Sequence, residues 1–439
     1  MSPPNDPPAR RLSAPGQNAS LDDWLSYLES IHPAEIDLGL DRVLVVFRRL
    51  FRRNPPARVL TVGGTNGKGS TVVALEHLLA RAGRTTGAYT SPHLQRYNER
   101  VRINGTEVSD RTLVLAFEAV EAARGSTTLT YFEFGTLAAF VVFKESGVDD
   151  WVLEVGLGGR LDAVNILDAD LAIITSVDID HVSYLGDNRE SIGFEKAGIL
   201  RPGRPAIFAD VDPPRSVLQQ ADAQNIRLLR PGDGYQLNPS DGSKGAESLL
   251  EIDEDPTVIS LPDQGLPIQS LAAAVVAIRR LQPELPGTAI EDTIRHLSLP
   301  GRFERLGKSP LIIADVGHNP HAARWLSSRV GAIRQPGQQV LAIYGALSDK
   351  NVEEVVGAMS GQVDEWFFAA LDVPRGLGCD DLTRRTDMLF NDGRPGCFSS
   401  VQDALKAALS RARENDFLLI FGSFFTVAAA REALIQTPP

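Results

Sequence analysis

The chain has 439 residues, of which 43% are hydrophobic and 23% are charged, the balance of a soluble globular protein. This length exceeds what one ordinary core supports, so we expect two domains. The formal net charge of −12, with no extended run of basic residues, argues against nucleic-acid binding, and no apolar stretch reaches the roughly 20 residues that span a bilayer.

The N-terminus and the two cysteines bear on the location of the protein. Residues 1–20 are rich in Pro, Ser and Asn and lack the apolar segment of a signal peptide, so we predict a disordered tail there. Cys379 and Cys397 lack the CxxC spacing of redox or zinc sites, which favours reduced thiols. Together these features predict a cytoplasmic protein.

The first part of the chain alternates between strands and helices. Its predicted elements are, in chain order, helices over 21–30 and 41–51, a strand over 58–62, a helix over 70–81, strands over 151–155 and 171–177, a helix over 190–199, a strand over 206–209, a small β extension within 231–267, and helices over 269–281 and 290–297. Such alternation predicts crossover connections and a largely parallel sheet.

A glycine-rich loop joins the first strand to the helix that follows it. It reads Gly-Gly-Thr-Asn-Gly-Lys-Gly-Ser from Gly63 to Ser70. Glycine lets backbone N–H groups approach a phosphate closely, and Lys68 adds a mobile positive charge. The standard spacing GxxxxGK[ST] is not met, because Val62 occupies its first glycine position and Gly69 follows the lysine. The order of strand, loop and helix still favours a phosphate-binding loop over the alternative, a simple glycine turn.

Polar residues follow two apolar strands of the first part. Glu154 ends the strand over 151–155, and His181 follows the strand over 171–177. Ligands of α/β proteins lie beyond the carboxyl ends of strands, and Mg²⁺ prefers oxygen ligands, so Glu154 is a candidate magnesium ligand with His181 as a second contact. The alternatives are a locally capping acid and an ordinary strand-end histidine. Lys196, by sequence alone, would be a solvated helix lysine.

The alternation restarts after a Leu-Pro-Gly-Arg segment at residues 299–302, which we interpret as a linker. The predicted elements beyond it are a strand over 311–316, a helix from residue 321, a strand over 340–346, a helix over 352–359, a strand over 366–370, a helix over 401–411, a strand over 417–421 and a final helix. We therefore predict an α/β fold in which a P-loop, parallel-sheet domain of the ATPase type (21–298) precedes a smaller Rossmann-like α/β domain (299–439).

The first strand of the second part ends in a polar segment. Asp315 and His318 lie between that strand and a helix whose first position is Pro320. Both side chains could reach a nucleotide or a substrate across the cleft between the domains. Capping of the helix by Asn319 is the alternative explanation of the segment, and it is compatible with the first.

Ten segments, in this order, resemble the folylpolyglutamate synthase/dihydrofolate synthase family of the Mur ligase superfamily, from about residue 21 to about residue 430. They read IDLGLDRV, GTNGKGS, TSPHLQRYNERVRI, LTYFEFGTLAAF, LEVGLGGRLDAVNI, TSVDIDHVSYLG, ESIGFEKAGI, LPGRFERL, DVGHNPHAA and GSFFTVA. Each motif is moderately specific, and the ordered set is highly specific. The sequences LGLDRV and LTYFEFGT are most similar to those of the bifunctional bacterial type, which performs both glutamate additions.

The resemblance implies a nucleotide site and two Mg²⁺ sites, and the family also admits a monovalent cation. The residues implied to contact ATP are Gly64, Thr65, Asn66, Gly67, Lys68, Gly69, Ser70, Ser270, Arg302 and Asp315. The implied metal contacts are Ser91 and Glu154 at the first Mg²⁺, and Glu154 with His181 at the second. Lys196 matches a lysine that the family carries as a carbamate. The implied catalytic residues are Lys68, Lys196, Asp315 and His318.

The resemblance also implies the substrates. The residues implied for a pteroate pocket are Asp37, Leu38, Gly39, Thr130, Tyr131, Phe132, Glu133, Leu161, Asp162 and Ala163. In the implied reaction, ATP phosphorylates the carboxylate of 7,8-dihydropteroate or a reduced folate, and the amine of L-glutamate attacks the acyl phosphate to give an amide, ADP and phosphate. Such chemistry needs positioning, charge neutralisation and exclusion of water by a closing second domain. We expect a monomer with small-molecule partners alone.

Two positions depart from the family pattern. The family commonly has Asn at the start of the helix over 269–281, where this chain has Ser270, and a closing GSFHT motif, where this chain has Phe425 in the histidine position. The alternative functions are another ligase of the superfamily that acts on a cell-wall precursor, a nucleotide-binding switch without ligase chemistry and, because of these two departures, an inactive homologue.

Overall fold

The structure, a computed structural model, describes residues 13–16, 18–32, 36–239, 247–390 and 394–436. The predicted disordered tail over 1–20 lies mostly outside these residues, but its last residue is ordered. The Asp23 N–H donates to the Ser20 hydroxyl at 3.1 Å, and the Ser20 N–H donates to the Asp23 carboxylate at 2.8 Å. Ser20, the last residue of the predicted tail, therefore caps the first helix.

The first part of the chain contains every helix and strand predicted for it, with ends that differ by a few residues. Its helices are α1 (Leu21–Ser30), α2 (Asp41–Leu50), α3 (Lys68–Arg81), α4 (Asp110–Arg124), α5 (Tyr131–Ser146), α6 (Val182–Leu185), α7 (Arg189–Ala197), α8 (Arg215–Ala223), α9 (Ile268–Leu281) and α10 (Gly287–Arg295). Its strands are β1 (Arg58–Gly63), β2 (Thr86–Tyr89), β3 (Val101–Ile103), β4 (Thr106–Glu107), β5 (Asp150–Glu154), β6 (Leu171–Ile174), β7 (Ala206–Phe208), β8 (Leu228–Pro231), β9 (Gly234–Pro239), β10 (Glu247–Ile252) and β11 (Ile259–Pro262).

These strands form one sheet in the order β11-β10-β9-β8-β7-β6-β1-β5-β2-β3-β4, which we call the first sheet. The strands from β8 through β2 run parallel, as the alternation predicts, and β3, β4, β10 and β11 continue the sheet in antiparallel pairs. The extension predicted within 231–267 is confirmed by β9, β10 and β11. Because β6, β1, β5 and β2 are neighbours and parallel, their carboxyl ends meet at one edge, and the chain leaves them there.

Helices cover both faces of the first sheet. One core joins the sheet to α3, α9 and α10, and the other joins it to α1, α2, α4 and α5. The sequence patterns predict no element between residues 84 and 150, where α5 lies. This helix is apolar on nearly every side and buried along most of its length, so it carries no clear helical period. Its ends are nonetheless marked, by a capping box of Thr130 and Glu133 and by Gly147 at φ 60°.

Asp150 begins β5 and is fully buried between two arginines. Arg58 Nε donates to one carboxylate oxygen at 2.6 Å, and Arg84 Nε donates to the other at 2.7 Å. Replacing Asp150 with alanine leaves both guanidinium groups without this partner, so we expect a loss of about 3 kcal/mol in the free energy of unfolding. Urea unfolding followed by circular dichroism measures this loss.

An exposed ion pair provides the control for Asp150→Ala. Asp212 pairs with Arg189 at 2.6 Å, but the Asp212 side chain is 74% exposed. We expect Asp212→Ala to change the stability by less than about 1 kcal/mol, because water and salt screen such pairs. Equal losses in the two variants would contradict a special role for the buried carboxylate.

The second part of the chain also contains each predicted element. Its helices are α11 (Pro320–Ile333), α12 (Val352–Met359), α13 (Cys379–Thr386), α14 (Val401–Arg411) and α15 (Phe424–Gln436), and its strands are β12 (Glu304–Lys308), β13 (Leu311–Asp315), β14 (Val340–Tyr344), β15 (Glu365–Ala369), β16 (Gly396–Phe398) and β17 (Phe417–Phe421). They form a second sheet in the order β12-β13-β17-β14-β15-β16, parallel except for β12. One core joins this sheet to α11, α12 and α13, and another joins it to α14 and α15.

The cysteines differ from the expectation of reduced thiols. A disulfide joins Cys379, at the start of α13, to Cys397 in β16. The two residues are 18 positions apart, and the pairing of their elements brings their Cα atoms to 5.4 Å, which sequence spacing does not indicate. Among the described residues, none of the helices is long and apolar enough to cross a membrane.

Candidate active site

The glycine loop between β1 and α3 lies at the edge where the parallel strands end. Gly64 has φ 146°, and a Cβ atom there would lie 1.8 Å from the Thr175 hydroxyl. Gly67 has φ 85°, and a Cβ atom there would lie 2.3 Å from the Ser270 hydroxyl. Both positions therefore require glycine, for backbone conformation and for space. The tight packing brings the loop against the end of β6 and the start of α9.

The residues after β6 hold the loop in place. The Thr65 N–H donates to the Ser176 carbonyl at 2.8 Å, and the Asn66 N–H donates to the Ser176 hydroxyl at 3.0 Å. The Thr175 hydroxyl donates to the Asn66 carbonyl at 2.6 Å, and the Thr65 hydroxyl donates to the Asp178 carbonyl at 3.0 Å. The loop is thus a preformed cradle rather than a free turn, which favours the phosphate-binding interpretation.

Lys68 and Ser70 stand at the start of α3, beside this cradle. Lys68 Nζ donates to the carbonyls of Gly64 and Thr65 at 3.0 and 3.2 Å. Burial lowers the pKa of Lys68, and the negative charge of Glu154 opposes that change. The Ser70 hydroxyl is buried and has no hydrogen-bond partner among the described residues. A buried polar atom without a partner at a helix start is suited to a ligand.

Glu154 ends β5 directly beside the loop. Its side chain is buried, and Oε2 accepts the Ser91 N–H at 3.2 Å. A Cβ atom at Gly69 would lie 3.8 Å from the same oxygen, so the carboxylate faces the start of α3. Burial raises the pKa of Glu154, and the positive charge of Lys68 opposes the rise. The structure thus brings together Ser91, Glu154 and the loop, as the sequence predicts.

Lys196 and His181 occupy different environments. Lys196 lies on α7 and is almost fully buried, contrary to a solvated helix lysine, and Nζ has no hydrogen-bond partner among the described residues. Burial, followed by the positive charge of Lys68, lowers the pKa of Lys196 to about 7. His181 precedes α6 at φ 52° and is exposed. A buried, largely neutral amine near Lys68 is unusual for a structural lysine.

Asp180 is the point where the two parts of the chain meet, and sequence analysis passed over it in favour of its neighbour. Lys350 Nζ donates to Oδ1 at 2.7 Å, Asn319 Nδ2 donates to Oδ2 at 3.0 Å, and His318 Nε2 lies 3.5 Å from Oδ2. Burial opposes ionisation, but the hydrogen bond from His318 and the charges of His318 and Lys350 hold the pKa of Asp180 well below its usual range. The available signal was its position just beyond β6.

A second contact joins the glycine loop itself to the start of α11. Asn66 and Asn319 exchange two side-chain hydrogen bonds, each of 3.0 Å from Nδ2 to Oδ1. Asn319 also caps α11 by accepting the Ala322 N–H at 3.0 Å, with Pro320 as the first helical residue. The capping predicted for Asn319 is therefore confirmed, and the same side chain reaches the loop.

Asp315 and Arg302 approach the cleft from the second sheet. The buried Asp315 carboxylate accepts two backbone N–H groups at 2.7 and 2.8 Å. Burial raises its pKa, and the positive charge of Arg302 opposes the rise. Arg302 lies over the Phe424 ring, with its guanidinium carbon 5.0 Å from the ring centroid. Burial lowers the pKa of Arg302, while the charges of Asp315 and Glu154 oppose that change.

The two departures from the family pattern have different settings. Ser270 is buried at the start of α9, against Gly67 of the loop, so it touches the cradle as an asparagine there would. Phe425 is 45% exposed on α15, whereas its neighbour Phe424 contacts Arg302. The aromatic ring at the histidine position therefore does not fill the core.

The three segments predicted for an acceptor pocket are brought together. Arg42 joins two of them, because its NH1 lies 2.7 Å from an Asp37 carboxylate oxygen and its NH2 donates to Glu133 at 2.9 Å. Glu133 in turn accepts the Thr130 N–H at 2.7 Å. Arg42 belongs to the LGLDRV segment, and the sequence alone indicates no role for it. Leu38 and Gly39 follow Asp37 in the segment that Arg42 holds.

The third segment is adjacent through an aromatic contact. A Cβ atom at Gly156 would lie 2.6 Å from the Phe132 ring, so that ring covers the turn after β5. Asp162 closes this turn by accepting the Leu157 and Val164 N–H groups at 2.9 and 3.0 Å. Burial raises the pKa of Asp162 to about 6. Leu161 and Ala163 flank it.

Clusters of residues that can bind a metal ion bear on where in the structure such an ion could lie. Within the described ranges, the only three His, Cys, Asp or Glu residues whose ligand atoms lie within 4.8 Å of one another are Cys379, Asp380 and Cys397. The two cysteines form the disulfide, so they offer no thiolate ligands. A metal ion at Glu154 would therefore take its other ligands from Ser70, Ser91, His181, a modified Lys196, water or the substrates.

Two family profiles match the two parts of the chain. One, described as Mur ligase middle domain, matches residues 62–235, and the other, described as Mur ligase, glutamate ligase domain, matches residues 301–424. The first covers the glycine loop and the first sheet, and the second covers the second sheet.

Relatives and solved structures agree with this match. The chain is 42% identical over 420 residues to a dihydrofolate synthase/folylpolyglutamate synthase of Escherichia coli, and the match covers 96% of this chain and 97% of that protein. It is 38% identical over 425 residues to the Haemophilus influenzae protein of the same name, and that match covers 93% of this chain and 96% of that protein. E. coli FolC in complex with DHPP and ADP superposes with a TM-score of 0.90 at 40% identity, covering 97% of this chain and 100% of that one.

A crystal structure of a bifunctional folylpolyglutamate synthase/dihydrofolate synthase with Mn, AMPPNP and L-glutamate bound superposes with a TM-score of 0.88 at 40% identity, covering 96% and 100%. The two-sheet fold with its cleft is that of the Mur ligases, so the protein is an ATP-dependent amino-acid ligase. Within that class, the chain belongs to the dihydrofolate synthase/folylpolyglutamate synthase family.

Proposed function

We propose that this chain joins L-glutamate to two acceptors, forming dihydrofolate from 7,8-dihydropteroate and lengthening the glutamate tail of reduced folates. ATP is converted to ADP and phosphate. One observation carries the proposal. The acceptor segments around Arg42 and Phe132 lie next to the turn that follows β5. The same strand ends in Glu154, which lies beside the phosphate cradle. A carboxylate and a phosphate can therefore meet at one sheet edge.

The nucleotide is assigned to the cradle and to the facing side of the second sheet. The N–H groups from Gly67 to Ser70 and the Lys68 ammonium would hold the phosphates, because the Thr65 and Asn66 N–H groups already donate to Ser176. Arg302 and Asp315 would complete the site from across the cleft. Ser270 would contact the nucleotide as the shorter replacement of an asparagine. Lys68 and Arg302 place two positive charges where the transferred phosphoryl group spreads its negative charge.

The donor set around Glu154 fits Mg²⁺. Its buried carboxylate and the unpartnered Ser70 hydroxyl are oxygen groups, which Mg²⁺ prefers. We assign Ser91 and Glu154 to a first ion and Glu154 with His181 to a second, and the family resemblance adds a monovalent cation. When bound, Mg²⁺ neutralises phosphate oxygens and orients them.

The reaction has two steps. An acceptor carboxylate oxygen attacks the γ-phosphorus of ATP, the bond to ADP breaks, and an acyl phosphate forms. The amine of glutamate then attacks the carbonyl carbon, phosphate leaves, and the amine loses a proton. We assign His318 to orienting the glutamate, because Asp180 and a hydrogen bond to the Val316 carbonyl hold its ring in the cleft. The second sheet excludes water, which would otherwise hydrolyse the acyl phosphate.

Lys196 is proposed to act as a carbamate. Only a neutral amine attacks CO₂, and the pKa of about 7 leaves much of Lys196 neutral near physiological pH. The nitrogen bonds to the carbon of CO₂ and loses a proton, which converts a cation into an oxygen ligand. We expect Lys196→Arg, which cannot form this group, to lose most activity. Carbon-13 NMR after equilibration with labelled bicarbonate should detect a carbamate signal in the wild type only.

An acceptor panel tests the function directly. The purified protein is incubated with ATP, Mg²⁺, L-glutamate and either dihydropteroate or a reduced folate, while ADP and product mass are followed. A gain of one glutamate residue on both acceptors supports the proposal. ADP release without a new amide, or reaction only with a cell-wall precursor, would refute it.

Two coarser features complete the proposal. We propose that the protein is a monomer, and the use of ATP and folates suits a cytoplasmic enzyme. We also propose that the domain boundary lies at residues 298 and 299, between α10 and β12. Size-exclusion chromatography with light scattering tests the monomer, and a dimer mass would contradict it.

A further inference from the structure

Arg100 carries a positive charge that has no carboxylate partner among the described residues. It ends a short 3-10 turn (Tyr97–Arg100), and its Nε donates to His93 Nδ1 at 2.9 Å. Its guanidinium carbon lies 5.3 Å from the centroid of the Tyr97 ring and 5.5 Å from that of the Tyr131 ring. The adjacent Glu99 does not pair with it, since its carboxylate accepts three backbone N–H groups at 2.6 to 2.8 Å.

The two terminal nitrogens of Arg100 remain available for hydrogen bonds to a ligand. Neither makes a hydrogen bond within the described ranges, and neither is among the buried side-chain nitrogens that lack a partner, so both are open to solvent. A guanidinium carries five N–H donors in a planar fork that matches a carboxylate. The two tyrosine rings and the His93 ring fix the direction of that fork, which limits the entropy lost on binding.

Arg100 lies between the two halves of the proposed site. On one side it contacts Tyr131, which begins α5 within the segment of the acceptor pocket. On the other side it contacts His93, two residues after Ser91, whose N–H donates to Glu154. A reduced folate that runs from the acceptor pocket towards the phosphate cradle would therefore bring its terminal glutamate residue close to Arg100.

The two acceptors differ in charge at this end. Dihydropteroate ends in an aromatic ring with a single carboxylate, which is the group that reacts. A reduced folate ends in a glutamate residue, which reacts through its side-chain carboxylate and keeps a second, α-carboxylate a few bonds away. A site that accepts both molecules needs a cation for the α-carboxylate, and this cation has no partner when dihydropteroate is bound.

We propose that Arg100 binds the non-reacting α-carboxylate of the reduced-folate acceptor and thereby determines the activity on that acceptor. The proposal rests on the two-acceptor function proposed above. Arg100 acts in recognition, and it makes no bond to the transferred phosphoryl group. The reaction with dihydropteroate does not use it.

Substitution at Arg100 separates the two activities. We expect Arg100→Gln to lower kcat/KM for a reduced folate monoglutamate by about 10- to 100-fold, the usual worth of a charge-assisted hydrogen-bond pair, and to leave kcat/KM for dihydropteroate within about threefold. Arg100→Lys keeps the charge without the fork and should fall between wild type and Arg100→Gln with the reduced folate. Thermal unfolding of each variant checks its fold.

Two controls make the comparison decisive. Arg96→Gln removes one positive charge from the residue preceding the same turn, where the side chain is 64% exposed and pairs with Asp110, and it should change neither activity. A reduced folate whose α-carboxylate is converted to an amide should be a poor acceptor for the wild type. It should lose little further activity with Arg100→Gln.

The possible failures are distinguishable. An equal loss on both acceptors in Arg100→Gln would overturn the inference and assign Arg100 to the reacting groups or to folding. An unchanged kcat/KM for the reduced folate would overturn it too. A wild-type protein that turns over dihydropteroate but not the reduced folate would instead refute the two-acceptor function, before any variant is compared.

Discussion

Lys68→Met is expected to lower turnover by about 1000-fold or more while leaving the protein folded. Lys68 is the half-buried cation of the glycine loop, and its Nζ is held by the Gly64 and Thr65 carbonyls at 3.0 and 3.2 Å. Removing it leaves the transferred phosphoryl group without the cation fixed in the cradle itself. ADP formation in the complete reaction mixture measures the loss.

The stability of the same variant is part of the prediction. Burial already disfavours the charged form of Lys68, as its lowered pKa indicates, so replacing it with methionine removes a desolvated charge. We expect Lys68→Met to unfold within a few degrees of the wild type. Lys308→Met, at an exposed position on β12, is the matched control and should keep full activity. Normal turnover in Lys68→Met would contradict the phosphate-loop assignment.

Glu154→Gln is expected to lower Mg²⁺-dependent turnover by at least about 100-fold. The substitution keeps the shape of the side chain, and its amide oxygen can still accept the Ser91 N–H, which reaches Glu154 at 3.2 Å in the wild type. It removes the negative charge of the carboxylate, which we assign as a ligand to both metal ions. A titration of activity against Mg²⁺ should show a higher half-saturating concentration as well as a lower plateau.

A second buried glutamate provides the control for Glu154→Gln. Glu76 is buried and pairs with Arg102 at 2.9 Å, and it also accepts the Gly105 N–H at 3.0 Å. We expect Glu76→Gln to lower stability, because it breaks a buried ion pair, without moving the Mg²⁺ titration. If Glu154→Gln behaved in the same way, the metal assignment would be wrong and its carboxylate would be structural.

The local parts of the site were predictable from sequence. The glycine loop, Glu154 at the end of β5 and Asp315 at the end of β13 each belong to a strong local pattern, and the carboxyl ends of parallel strands meet at one edge. Elements near the site that lack a pattern were missed. In α5, apolar residues on almost every side remove the helical period, although Thr130 and Gly147 mark its ends.

Local sequence patterns could not identify the residues that join the two sheets. Asp180, Lys350 and Asn319 are far apart in sequence, and only the docking of the second sheet brings them together. The same holds for Arg42, which joins the acceptor segments, and for the disulfide of Cys379. Each of these contacts depends on tertiary packing, so a single sequence shows each residue but does not identify its partner.

The amide pair between Asn66 and Asn319 has a thermodynamic consequence. It ties the middle of the glycine loop to the first residues of α11, so the orientation of the second sheet and the shape of the cradle are not independent. Binding free energies coupled in this way are reciprocal. A ligand that favours the arrangement in which Asn66 and Asn319 pair must therefore tighten the binding of nucleotide by the same factor by which nucleotide tightens the binding of that ligand.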